Sequence, residues 1–273
     1  NKNKIFMKYA EAFRTPDLDA RNATCANSYS FPCSDPAFFL KDQTSDEIEF
    51  GIRHSDNKLN LNASIFEMNT LNEIRYIPEK NNTNLDPIKR KGLNIDFDYS
   101  LDQKVNLTGS FSYLDAHFTS GYLTRGGFNG TYAIDSVTAV NRMDSSRNLI
   151  DGTYTIAGLK VPLVAEYTYD IKLNYLMPND INLKIKMSFV DDMFASNDQE
   201  NIEPTIPSYY LFDLSMDAQS NYGIWSFGVD NIFNTSYYNF AVASNQHEDG
   251  TYGRQNMYPL ERRSIFLDYS YQF

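Results

Sequence analysis

The stretch Glu166–Val190, EYTYDIKLNYLMPNDINLKIKMSFV, decides the fold. Tyr167, Tyr169, Ile171, Leu173 and Tyr175 alternate with Thr168, Asp170, Lys172 and Asn174. Beyond Pro178-Asn179-Asp180, Leu183, Ile185, Met187 and Phe189 alternate with Asn182, Lys184, Lys186 and Ser188. Successive side chains on a strand point to opposite faces, so each arm has one apolar and one polar face. The two arms around a turn-forming triplet predict an antiparallel hairpin.

The same period of two recurs at 48–52, 59–65, 93–101, 105–113 and 210–218, and in the closing SIFLDYSYQF at 264–273. Helical periodicity is absent, so the fold class is all-β. The arms run to about ten residues, longer than the roughly five to six of a soluble sandwich strand. Short polar turns are expected at Asp56-Asn57, Asp102-Gln103, Pro178–Asp180 and Ser220-Asn221. Between them come long excursions at 13–44, 68–90, 119–162, 197–208 and 235–259. Structureless loops of that length argue against an ordinary compact domain. Long and short connections in alternation are the layout of an antiparallel transmembrane β-barrel with long extracellular loops and tight periplasmic turns. The reading counts ten strands, the last running down to an interfacial aromatic, Phe273.

Composition agrees. The 273 residues include 20 Tyr and 19 Phe against one Trp, an excess suited to interfacial aromatic girdles. Tyr167, Tyr169, Tyr175, Tyr209, Tyr210 and Tyr271 are placed there. No apolar run approaches the roughly 18 residues of a membrane-spanning helix. The net charge of −11 argues against a nucleic-acid partner, which needs a basic face. Cys25 and Cys33, in ARNATCANSYSFPCSD, suit a loop-closing disulfide better than a metal pair, since no further ligands lie nearby. His247-Glu248-Asp249 lacks the second His of a helical zinc motif, and no Gly-x-Ser-x-Gly occurs. The chain is read as not an enzyme.

Several segments then resemble TonB-dependent outer-membrane receptors. EAFRTPDLD resembles their Phe-Arg-Ala-Pro box at Phe13, Arg14 and Pro16, with Thr15 in place of Ala. LKDQTSDEIEFG resembles their Leu-Lys-Pro-Glu-Thr-Ser box at Leu40, Lys41, Thr44, Ser45, Glu49 and Gly51, departing at Asp42 and Gln43. VDNIFNTSYYNF is similar to the Val-x-Asn-Leu-Phe…Tyr segment through Val229, Asn231, Ile232, Phe233 and Tyr237. YPLERRSIFLDYSYQF is similar to the closing segment, with Arg263 on the family's Arg, Arg262 where Gly is usual, and the terminal Phe273.

The resemblance implies a barrel of about 22 strands around an N-terminal plug. Residues 1–273 match only its last ten strands or so, which makes the chain a C-terminal portion lacking the plug, the coupling box and the first strands. It implies uptake of a ferric siderophore, energised by the TonB–ExbB–ExbD complex acting on that missing plug. The ferric chelate would be transported ligand, not cofactor. A place in the bacterial outer membrane follows, with the C-terminus at the periplasmic face, outer-membrane lipid around the strands and Phe273 read by the barrel-assembly machinery. Haem, cobalamin, another metal chelate, or a passive pore or adhesin are the alternatives. Haem is disfavoured because positions 17–39, where haem receptors of the family tend to carry a ligating His, contain none. Ligand contacts are expected from loop aromatics and cations: Tyr29, Arg75, Tyr76, Tyr122, Arg125, Phe128, His247, Tyr252 and Arg254.

Overall fold

The computed structural model describes residues 2–21, 40–77, 81–125, 152–196, 198–199, 201, 204–220, 222–242 and 256–271. Ten strands form one antiparallel sheet: β1 (Lys2–Arg14), β2 (Gln43–Ser55), β3 (Leu59–Leu71), β6 (Ile88–Ser100), β7 (Val105–Phe118), β10 (Tyr167–Met177), β11 (Ile181–Val190), β12 (Tyr209–Ser220), β13 (Gly223–Asp230) and β16 (Ser264–Ser270). They lie side by side in chain order. Among the described residues β1 pairs only with β2, and β16 only with β13, so the sheet is open at both edges.

The turns fall at the expected places, and the excursions are not structureless. They carry three small hairpins: β4 (Ile74–Ile77) with β5 (Asn81–Asn84), β8 (Tyr122–Arg125) with β9 (Gly152–Thr155), and β14 (Tyr238–Val242) with β15 (Asn256–Pro259). A short helical turn, α1 (Leu18–Arg21), follows β1. Four-residue strands such as Asn81-Asn82-Thr83-Asn84 have no apolar alternation to betray them.

Register sorts the faces. Directly opposed residues share a face, so Met7, Phe50, Ile65, Leu93, Tyr113 and Tyr167 form one outward row across six strands. Lower on the same face, Leu107, Leu173, Ile185, Leu214, Val229 and Ile265 form another. The apolar band therefore crosses the rows diagonally, as expected of strands tilted by about 35–45° to a membrane normal. Its sides carry aromatic rings, with Tyr169 stacked on Phe189 at 4.9 Å and Phe189 against Tyr210 at 4.5 Å. At the lower side Trp225 packs on Tyr269 at 4.4 Å.

The opposite face is a polar ladder. The Ser112 hydroxyl donates to Asn94 at 2.8 Å, Asn106 to Asp98 at 2.7 Å, and Ser188 to Asp170 at 2.5 Å. Lys184 pairs with Asp217, and Lys186 with Asp170 at 3.1 Å. Three phenylalanines interrupt this ladder, and each covers a glycine on the next strand: Phe6 over Gly51, Phe66 over Gly92, Phe266 over Gly228. A ring laid on a neighbouring glycine shields the backbone that the glycine leaves bare.

Two short turns share one device. The Asp56 carboxylate accepts main-chain N–H groups of Lys58 and Leu59, both at 2.8 Å, and Asp102 accepts those of Lys104 and Val105 at 2.7 and 2.9 Å. In the third, Asn179 and Asp180 adopt φ of 65° and 56°, the left-handed pair that a tight hairpin with the native strand twist requires.

Among the described residues the buried apolar ones all lie at the long-loop end. Ile88, Phe118, Ile156, Val161, Ala195, Ile206 and Ala241 are nearly inaccessible. The wall itself has no core of its own.

Two predictions follow from wall and turn. In Gly92→Val the new side chain meets the Phe66 ring and, at 2.7 Å, the Tyr113 carbonyl; denaturant unfolding of the protein in detergent should show a loss of about 1–3 kcal/mol. The main-chain donors of Lys58 and Leu59, helped by His54, hold the Asp56 carboxyl down at about 2, against an ordinary 3.8. The folded value lies below the unfolded one, so this stabilisation is complete above the ordinary carboxylate range and fades as pH falls through about 2. Asp56→Ala should unfold at lower denaturant than the parent near neutral pH, and the two curves should converge as the pH approaches 2.

Candidate functional site

At the long-loop rim the chain leaves β3 through Asn72, whose φ of 56° reverses it into the β4–β5 hairpin. Asn84 at the end of that hairpin acts as a substitute strand partner. Its amide donates to the carbonyls of Lys41 and Asn72 at 3.0 and 2.8 Å, and its oxygen accepts from the Lys41 N–H at 2.7 Å. The Gln43 side chain accepts from the Ile74 N–H at 3.2 Å. The hairpin is thereby stitched to the start of β2.

Glu73 is the electrostatic centre of the rim. Its two carboxylate oxygens accept from Arg75 at 2.9 Å and Arg90 at 2.5 Å. Arg90 also donates to the Thr70 hydroxyl at 3.1 Å, and Arg75 to the Pro162 carbonyl at 2.9 Å. One half-buried carboxylate thus ties β3, the β4–β5 hairpin, β6 and the connection that follows β9. Beneath it Leu85, Ile88, Ala116, Phe118, Ile156 and Val161 make a dry cluster. Alongside, the Asn201 side chain pairs with both main-chain groups of Lys160, and Met193, Ala195, Ile206 and Ala241 form a second cluster.

Of the residues expected to meet a ligand, Arg75 is engaged with Glu73 and Pro162. Tyr76 lies opposite Asn82 on β4, and Tyr122 is exposed on β8, which ends at Arg125 opposite Gly152. These two pairs sit on separate hairpins, and no described contact joins them. Tyr29, Phe128, His247, Tyr252 and Arg254 lie outside the described residues, as do Cys25, Cys33 and Phe273. Among the described residues no group of three or more His, Cys, Asp or Glu side chains is gathered as a metal site. Glu73, Arg90, Asn84 and Asn201 were not singled out from the sequence. Their partners are distant along the chain, and no local pattern marks them.

The motif residues have visible structural work. Phe13 projects from the outward face, Arg14 ends β1, Pro16 is buried, and Asp17 next to it caps α1 by accepting from the Ala20 N–H at 2.6 Å. Thr44 faces Phe13 and Ser45 faces Ala12 across β1 and β2, while Glu49 lies 3.7 Å from Lys8 and Gly51 lies under the Phe6 ring. Asn231, buried and at φ 50°, clamps the turn after β13. Its side chain donates to the Thr235 carbonyl and accepts from the Thr235 N–H, both at 2.8 Å, while its own N–H donates to Asp213. Phe233 meets Phe212 edge-on at 5.1 Å, and the Arg263 N–H reaches the Asn234 side chain at 3.2 Å.

A family model described as TonB dependent receptor-like, beta-barrel matches residues 2–234. The chain belongs to the TonB-dependent receptor family. This is a family of outer-membrane β-barrels, and the receptor's ten-stranded sheet fits it. No curated protein matches the chain in sequence. Among solved structures it is similar to the ferric-catecholate import receptor Fiu of E. coli K12, at 17% identity and TM-score 0.61, over 97% of this chain and 32% of that one. It is similar to the ferric yersiniabactin uptake receptor FyuA of Yersinia pestis, at 13% and 0.62, over 96% and 34%. The copper transporter OprC gives 14% and 0.62, over 97% and 36%. At such identities the likeness is one of fold. The chain spans about a third of the length of these structures.

Removing Glu73 leaves two half-buried guanidinium groups facing each other without a counter-charge. Glu73→Ala should cost about 1–3 kcal/mol at the rim, seen as faster protease nicking of residues 72–87 on intact cells. Arg75→Gln, which keeps the Arg90 contact, should be milder.

Proposed function

We propose that this chain forms the C-terminal wall of an outer-membrane active transporter for a scarce iron chelate, a ferric siderophore being the substrate class. The observation that carries the reading is the division of the sheet. Its outward face is apolar, its inward face is a polar ladder, and among the described residues its loops pack over one end. Such a wall serves a solute that binds at the loop end and then moves past polar side chains. Two of the similar structures are by name receptors for ferric chelates, while a third is a copper transporter, which makes another metal chelate the second reading.

The open edges at β1 and β16 support further strands on either side, and the coverage of about a third supports a longer receptor whose other part holds the plug and the coupling box. Energy from the TonB–ExbB–ExbD complex would enter through that plug. β16 runs from the long-loop end to the end with the short turns, which supports a periplasmic position for the end of the chain. Tyr122, Arg125 and the other loop aromatics and cations are the proposed ligand contacts.

The test is iron-limited growth and labelled uptake by cells carrying the complete gene, with ferric catecholate and hydroxamate siderophores, haem, cobalamin and copper chelates in parallel. Uptake of one ferric siderophore that stops when the coupling protein is deleted supports the proposal. Uptake of haem, cobalamin or copper alone redirects it to the second reading. Coupling-independent leakage sinks it in favour of a passive pore.

A further inference from the structure

Several charges on the inward face are settled in close pairs: Lys8 with Glu47, Lys186 with Asp170, Lys184 with Asp217. Four others are not. Arg53 on β2, Asp96 and Asp98 on β6 and Lys172 on β10 form no ion pair among the described residues. These strands have both neighbours in place, so no further strand at an open edge supplies the missing counter-charges. All four side chains belong to exposed residues.

Register sets them out in order. Arg53 opposes Asn62, which opposes Asp96, and Asp98 opposes Thr108, which opposes Lys172. One neutral strand therefore stands between each cation and the carboxylates. Neighbouring strands lie about 4.8 Å apart, which puts the charged strands about 10 Å from each other, beyond direct pairing. Local contacts do little to quench them. The Arg53 Nε donates to Asn62 at 3.2 Å and its guanidinium lies 4.6 Å from the Phe6 ring centre, while Asp98 accepts from the Asn106 amide at 2.7 Å. Asp96 and Lys172 make no side-chain hydrogen bond among the described residues. The wall here reads cation, amide, carboxylates, hydroxyl, cation, and its formal charges cancel.

A solute of one sign meets attraction and repulsion side by side on such a surface. A solute that carries both signs is attracted at both. Exposed charge contacts are individually weak, which suits a place that a solute must enter and then leave. Arg53 and Asp98 lie near the short-turn ends of β2 and β6, well away from the loops. We propose that Arg53, Asp96, Asp98 and Lys172 form a lumenal station for a zwitterionic end group of the transported chelate, its ammonium at the two aspartates and its carboxylate at Arg53 or Lys172. The inference rests on the transport reading given under Proposed function and narrows its substrate class to ferric chelates bearing both a free amine and a free carboxylate.

The first measurement is saturation-transfer magnetic resonance on the purified full-length receptor in detergent, with γ-aminobutyrate, butyrate and butylamine as probes. The parent should bind the zwitterion best. Its signal should fall about fivefold in Asp96→Asn combined with Asp98→Asn, and likewise in Arg53→Gln combined with Lys172→Gln. The outward-facing Lys91→Gln should match the parent. In cells carrying the complete gene, a hydroxamate chelate with an amino-acid end should enter about fivefold faster than its N-acetyl or methyl-ester form, an advantage lost in both double variants. Equal zwitterion signal in parent and double variants would overturn the proposal, as would a stronger signal from butyrate or butylamine. So would a lower melting temperature of both double variants with the zwitterion signal unchanged, which assigns these charges to another segment of the receptor. A parent that takes up no chelate sinks the transport reading instead, and the resonance measurement still decides the station.

Discussion

In hydrocarbon no water satisfies an exposed N–H or C=O, so every strand in the band must give its main chain to a neighbour. That requirement fixes the register, and the register fixes everything the side chains do. A slip of one residue between β10 and β11 would bring Lys184 and Lys186 to the lipid side and turn Ile185 and Met187 inward. The diagonal course of the apolar band and the girdle rings at its sides are consequences of this pairing. So are the inward ladders of Asn, Ser, Asp and Lys.

Because lipid takes the place of a core along the wall, burial is confined to the rim. There the loops must build dry clusters of their own, and they do so around Phe118 and around Ile206. Polar side chains stand in for strand neighbours: Asn84 for Lys41 and Asn72, Asn201 for Lys160, Asn231 for its own turn. Glu73 joins pieces that the sheet does not. The rim thus adds side-chain hydrogen bonds to main-chain ones such as that from the Val161 N–H to the Ala116 carbonyl, where the wall is held chiefly by its main chain.

Much of the wall was legible in the sequence, because a lipid face and a watery face impose alternation on every strand between them. The hairpin of Glu166–Val190, the ten strands and the four short turns all follow from that. The inward phenylalanines were not legible, since Phe66 breaks the alternation and makes sense only against Gly92 on another strand. The rim was the harder part. β4 and β5 are too short to show a period, and Arg75, expected to face a ligand, grips a carbonyl 87 residues away. Such contacts are set by tertiary packing, which leaves no mark on neighbouring residues.

The strand order has a consequence for how the wall comes together. Each strand is flanked by its sequence neighbours, and four pairs, β2–β3, β6–β7, β10–β11 and β12–β13, are closed by tight turns. Closing a short loop forfeits less chain entropy than closing a long one. These four hairpins are the natural first units, and the joins across 119–166 and 231–263 come after them. The strand β16 is reached only through the long connection 231–263, so it is a latecomer of the sheet, zippered along β13 once that hairpin is in place.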